Sequence, residues 1–140
     1  MPSATQRPSP YHRAFRSRRA STLALACVLF VACAPTGPRV LAHNELVSVV
    51  LDQSASGATL ELRPAQGVHI NAQLKPVIEQ RDAAPLVFDS PLLTTDSAYF
   101  AGSAVAAIGA RQSVHGTLRA SACPEGKRVC LSVALDVNVR

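Results

Sequence analysis

The chain has no tryptophan, one methionine and only 4% aromatic residues. A core built from it must be filled by Val, Leu, Ile and Ala, which bury less area per residue than aromatic rings do. No apolar run reaches the roughly 18–20 residues that a spanning helix needs, which excludes a polytopic membrane protein. No Gly-rich phosphate loop, Ser/His/Asp set or paired-carboxylate signature stands out. His43, His69 and His115 lack ligand-like spacing, so neither a metal nor a cofactor is expected. What is present suits a single globular domain: 140 residues, of which 48% are apolar.

Acidic residues are missing from one stretch altogether. Residues 1–42 hold Arg7, Arg13, Arg16, Arg18, Arg19 and Arg39 and no Asp or Glu. Residues 43–140 hold all nine acids and eight Lys/Arg, so 8 − 9 = −1. The overall charge of +5 therefore belongs to the N-terminal segment. A nucleic-acid binder carries its positive charge on the folded surface, and that class is set aside.

The basic segment reads as a secretion signal. A Pro/Ser/Arg-rich start is followed by the short apolar run Ser21 to Ala32 and then by small residues. A positive n-region, a short h-region and a small-residue site form the export pattern. Two processing outcomes compete. Phe30-Val-Ala-Cys33 resembles a bacterial lipobox, with Phe30 where Leu is usual, and would make Cys33 a lipidated N-terminus attached to the membrane. Val40-Leu-Ala42 would instead release a soluble domain beginning at His43. Either cut places residues 43–140 outside the cytoplasm, in the bacterial periplasm or envelope. Either also leaves Cys123 and Cys130 as the two protein thiols, for which an oxidising compartment makes a disulfide the default expectation.

Residues 43–140 read as an all-β, immunoglobulin-like antiparallel β-sandwich. Val47, Val49 and Leu51 alternate with Ser48 and Asp52; Leu60 and Leu62 alternate with Thr59, Glu61 and Arg63. Val68-His-Ile70, Pro85 to Phe88 and Ala98-Tyr-Phe100 are short apolar pieces, and Leu74 to Asp82 is interrupted by Pro76. Gly102 to Ala110 is Ala-rich and fits helix or strand equally. Val114, Leu118 and Ala120 alternate with polar residues, as do Val129 through Val139. Short strands punctuated by turn signals, with no long amphipathic helix, give the sandwich.

Cys123 closes one strand and Cys130 opens the next, across the turn-rich Pro124-Glu-Gly-Lys-Arg-Val129. Side chains alternate faces along a strand. Cys123 thus shares a face with Thr117, Arg119 and Ser121, and Cys130 with Ser132, Asp136 and Asn138. Both are expected on the polar side, provided no bulge intervenes. Two readings stay open: a structural brace for the hairpin, or a redox pair accessible to another protein's thiolate. Lys127 and Arg128 would favour a thiolate here, and Glu125 would oppose it.

Two motifs carry a resemblance. Gly67-Val-His-Ile-Asn-Ala72 is similar to the G-[YW]-H-I-N-A stretch of the N-terminal domain of the thiol:disulfide interchange protein DsbD, a domain type also found in disulfide bond correctors. His115-Gly-Thr-Leu-Arg-Ala-Ser-Ala-Cys123 followed by Arg128-Val-Cys130 resembles that family's cysteine-bearing ending, and the resemblance covers about residues 43–140. It implies an immunoglobulin-like periplasmic domain in which Cys123 and Cys130 shuttle electrons. A thioredoxin-like or membrane-embedded reductant would supply them, and periplasmic client proteins would receive them. His69, Lys127 and Arg128 would shape the site. Three departures stand out: Val68 precedes His69 in place of an aromatic, Ala120 or Ser121 stands where the family has Tyr, and Leu131-Ser132 replaces Pro-Pro. The lost aromatics imply either a more exposed disulfide or a domain that kept the fold without the electron traffic. In the second case it would be a non-catalytic envelope interaction module.

Overall fold

A computed structural model describes residues 37–54, 57–109 and 112–140. Residues 1–36, Cys27 and Cys33 included, lie outside the described residues. The described residues form two antiparallel sheets packed face to face as a β-sandwich. Strands β1 (Arg39–His43), β2 (Val47–Ser54), β3 (Gly57–Pro64) and β7 (Ala104–Ile108) make one sheet in the order β1-β2-β3-β7. The other contains β4 (Val68–Ile70), β5 (Val77–Gln80), β6 (Leu86–Val87), β8 (Val114–Pro124) and β9 (Leu131–Val139).

Period-two alternation decides what each strand buries. Val47, Val49, Leu51, Leu60 and Leu62 point inward from β2 and β3, and Ile78, Leu118, Ala122, Val133 and Val137 meet them from the second sheet. Two rings fill what the aliphatic side chains leave open. Phe88 is 0% and Phe100 1% exposed, the bulkiest of the fully buried residues. Within the Ala-rich stretch, Ala104–Ile108 forms strand β7, with Ala104, Ala106 and Ile108 buried and Val105 and Ala107 exposed. Pairing along β3 decides it: Leu60 faces Ala106 and Leu62 faces Ala104, and small residues let the sheet pack closely.

Three findings depart from the sequence expectations. The sandwich begins before His43, because Arg39–His43 is a strand in register with β2. A bulge at Leu41 shifts that register and turns Leu41 toward the core. Val129, expected on the inward stripe, lies in the turn before β9 and is 68% exposed. Leu131, the next residue of that stripe, is also exposed because it sits at the strand's open end.

β8 is the strand that positions the cysteines. β9 runs along one of its edges from Val114↔Val139 to Ala122↔Leu131. The other edge is shared end to end by β5, opposite Gly116 to Arg119, and β4, opposite Ala122 to Pro124. An Asx turn separates β4 from β5: the Asn71 side-chain oxygen accepts from the Gln73 and Leu74 amides at 2.9 and 3.1 Å.

Candidate functional site

The β8–β9 register continues without a bulge, so the next pair after Ala122↔Leu131 is Cys123 and Cys130. They are joined as a disulfide with Cα atoms 4.1 Å apart. The intervening turn is set by Gly126. Its φ of 75° is a left-handed conformation that favours glycine, and the Lys127 amide donates to the Pro124 carbonyl at 3.1 Å. A loop of this length contributes roughly 2–3 kcal/mol by loop-closure entropy.

Both cysteines have the outward parity expected of them. Ala122 and Val133 face the core, so Cys123 and Cys130 point away from it, and neither belongs to the core cluster. Their accessibility differs, however. Cys123 is only 8% exposed, whereas Cys130 is exposed. The reason is strand order. β8 is flanked at this point by β4 on one side and by β9 on the other, while Cys130 lies at the sheet margin, between the exposed Val129 and Leu131. Both sulfurs lie on the outer face, and one is covered while the other is open.

The residue beside Cys123 on its other edge is His69. Ile70 is buried in the core, so His69 faces outward, on the same face as the disulfide. His69, Cys123 and Cys130 thus lie abreast on three neighbouring chain segments. The His69 Nε2 is 3.3 Å from Glu125 Oε1, and its ring lies 5.4 Å from that of Tyr99, tilted by 35°. Glu125 is anchored by its own amide, which donates to the Gly67 carbonyl at 2.7 Å. Tyr99 is held by a bridge to Asn71 and by its amide, which donates to Thr94 Oγ1 at 3.2 Å. Asp96, in the same turn, has its carboxyl held below the usual carboxylate range. The Thr94 hydroxyl is the main cause, the Ala98 amide adds to it, and the charge of His69 contributes less.

The remaining candidates fall into place around this row. Lys127 and Arg128 are exposed in the turn and form no ion pair among the described residues. Cys33 lies outside the described residues. No group of three or more His, Cys, Asp or Glu is arranged to hold a metal among the described residues. Tyr99 was not singled out from the sequence. Its signal was the Ala98-Tyr-Phe100 piece, in which a core Phe100 forces its neighbour to the other face. An open hollow of about 910 Å³ lies elsewhere, near Glu79, Arg81, His115, Thr117, Asp136 and Asn138. His115 is eight residues from Cys123 along β8, roughly 25 Å at the rise of an extended strand, so the hollow is separate from the sulfur chemistry.

No family model, curated protein or solved structure matches the chain. The reading of the site therefore rests on its own geometry. That geometry supplies an electrophilic sulfur at an open margin, a second sulfur able to leave into a covered position, and an imidazole next to that second sulfur.

Proposed function

We propose that this is an exported thiol–disulfide exchange domain, of the type that forms the N-terminal domain of DsbD. Its Cys123–Cys130 pair passes reducing equivalents between periplasmic thiol–disulfide proteins. The observation that carries the reading is the asymmetry of the pair: an exposed Cys130 bonded to a covered Cys123 on the outer face, outside the hydrophobic core. A bond whose main role was to staple the sandwich would gain most by crossing the interior between sheets. This one joins adjacent strands where another protein can reach it.

The exchange runs in two steps. A thiolate of a reduced, thioredoxin-like donor attacks the Cys130 sulfur. The donor–Cys130 bond forms as the Cys123–Cys130 bond breaks, and the bonding pair leaves on Cys123 as a thiolate. The donor's second thiolate then attacks its own first sulfur, forming the donor disulfide and releasing the Cys130 thiolate. The donor has lost two electrons, and its two protons end on the cysteines of this chain. A client disulfide is reduced by the same steps in reverse.

β1 bears on how the domain is delivered. Cleavage after Ala42 would remove residues that pair with β2 from Arg39 to Ala42. Processing at Cys33 keeps the strand and leaves a short tether, which supports lipid attachment of an intact sandwich to the membrane.

The alternative is an envelope interaction module in which the disulfide only braces the hairpin, as its position across one tight turn allows. Trapping separates the two. Cys123→Ser removes the resolving sulfur and leaves Cys130 as an exposed free thiol. Incubated with a thioredoxin-like protein whose second cysteine is replaced by Ser and whose first is activated as a thionitrobenzoate disulfide, this variant is expected to release thionitrobenzoate and accumulate a mixed disulfide visible on non-reducing gels. Cys130→Ser, whose remaining thiol is covered, is expected to accumulate at least tenfold less. Equal trapping by both variants, or none by either, removes the exchange reading.

A further inference from the structure

We propose that His69 is a positioning residue for the exchange: its imidazolium, held by Glu125, stabilises the thiolate that Cys123 becomes when the disulfide opens. The inference rests on the exchange reading and adds a pH-dependent control to the same site.

Register supplies the first observation. His69 is the direct cross-strand partner of Cys123, and directly opposed residues on one face have Cβ atoms about 4.5–5.5 Å apart. The ring thus lies on the opposite side of Cys123 from Cys130, the sulfur that is attacked. The Glu125 carboxylate 3.3 Å from Nε2 supplies the second. A carboxylate, an imidazole and a sulfur in sequence form the arrangement in which an oriented base or cation serves a nucleophile. Its charge here balances charge that appears during the reaction. Opening the disulfide places a negative sulfur in a covered position, where an unpaired charge is costly. A neighbouring cation favours that thiolate and makes it a better leaving group.

Several charged groups surround the ring. Glu125, from the turn after β8, and Asp96, from the turn before Tyr99, are the carboxylates near it. Tyr99 lies against the ring from the same segment as Asp96. Lys127 and Arg128 are the cations of the exposed turn between the cysteines. Glu125 also repels the thiolate. It cannot replace the cation, so the net help to Cys123 depends on His69 being protonated.

The oxidised, disulfide-intact chain tests this with dithiothreitol as the reductant, which requires no protein partner. Rates are corrected for the thiolate fraction of dithiothreitol itself and compared at pH 6 and pH 9. Stabilising the leaving thiolate about tenfold, at a sensitivity near 0.5, changes the rate about threefold. The wild-type chain is expected to open about threefold faster than His69→Gln at pH 6. At pH 9, where an imidazole has lost its charge, the two rates should converge. His69→Lys, charged at both pH values, is expected to stay fast at both, which a purely structural histidine would not predict. Equal rates for wild type and His69→Gln at pH 6, or a ratio that does not change with pH, overturn the proposal. Because no partner is involved, failure of mixed-disulfide trapping leaves this readout intact, and the two claims fail separately.

Discussion

Replacing Phe100 by Ala is expected to lower stability by about 3–5 kcal/mol, the cost of a large ring removed from a closed core. Phe100 is 1% exposed, its amide donates to the Ile70 carbonyl at 3.0 Å, and it bridges to Leu93. The ring thus packs the core while its backbone ties the 92–101 segment to β4, the strand that carries His69. With aromatics scarce, the surrounding Val, Leu and Ala side chains have little volume with which to fill the void. Urea denaturation of the oxidised chain measures the loss. A cost below about 1.5 kcal/mol would mean that the site collapses freely, contrary to a close-packed interior. The same substitution should disturb Tyr99, and with it the packing against the His69 ring.

Gly116→Ala is expected to cost about 3 kcal/mol, at the upper end of overpacking effects. A Cβ at this position would lie 2.3 Å from the Glu79 carbonyl oxygen, 2.8 Å from Ile78 Cγ2 and 2.9 Å from the Glu79 carbonyl carbon. Two of those contacts are backbone and cannot rotate away. Relief requires β5 to move off β8, breaking the Glu79↔Thr117 and Gln80↔Gly116 pairs. The Arg119–Glu79 ion pair across the same strands, at 2.7 Å, is exposed on both sides and screened by solvent. It cannot hold the strands together against the clash. The same denaturation series checks the value, and a loss under about 1 kcal/mol would show that β5 gives way.

The sequence made legible whatever alternation alone determines. β2, β3, β8 and β9 each show a period-two apolar stripe, and the outward parity of both cysteines follows from it. β7 was not legible, because alanine favours helices and packs in either form, and only its pairing with β3 selects the strand. β1 was hidden because the small and apolar residues at Val40-Leu-Ala42 also fit the pattern of an export cleavage site. The unequal exposure of the two sulfurs was out of reach for a different reason. It depends on β4 docking on the far edge of β8, a pairing between segments distant in the chain. The same long-range pairing sets His69 beside Cys123, and no local pattern encodes it.

The central claim is that the Cys123–Cys130 bond is made to be opened. Its reduction potential, measured by equilibrating the intact chain with glutathione buffers and quantifying free thiols, tests this directly. An exchange domain requires a value above about −300 mV, within reach of cellular dithiols. A value below about −300 mV would mark a bond that resists reduction, and would contradict the electron-passing role.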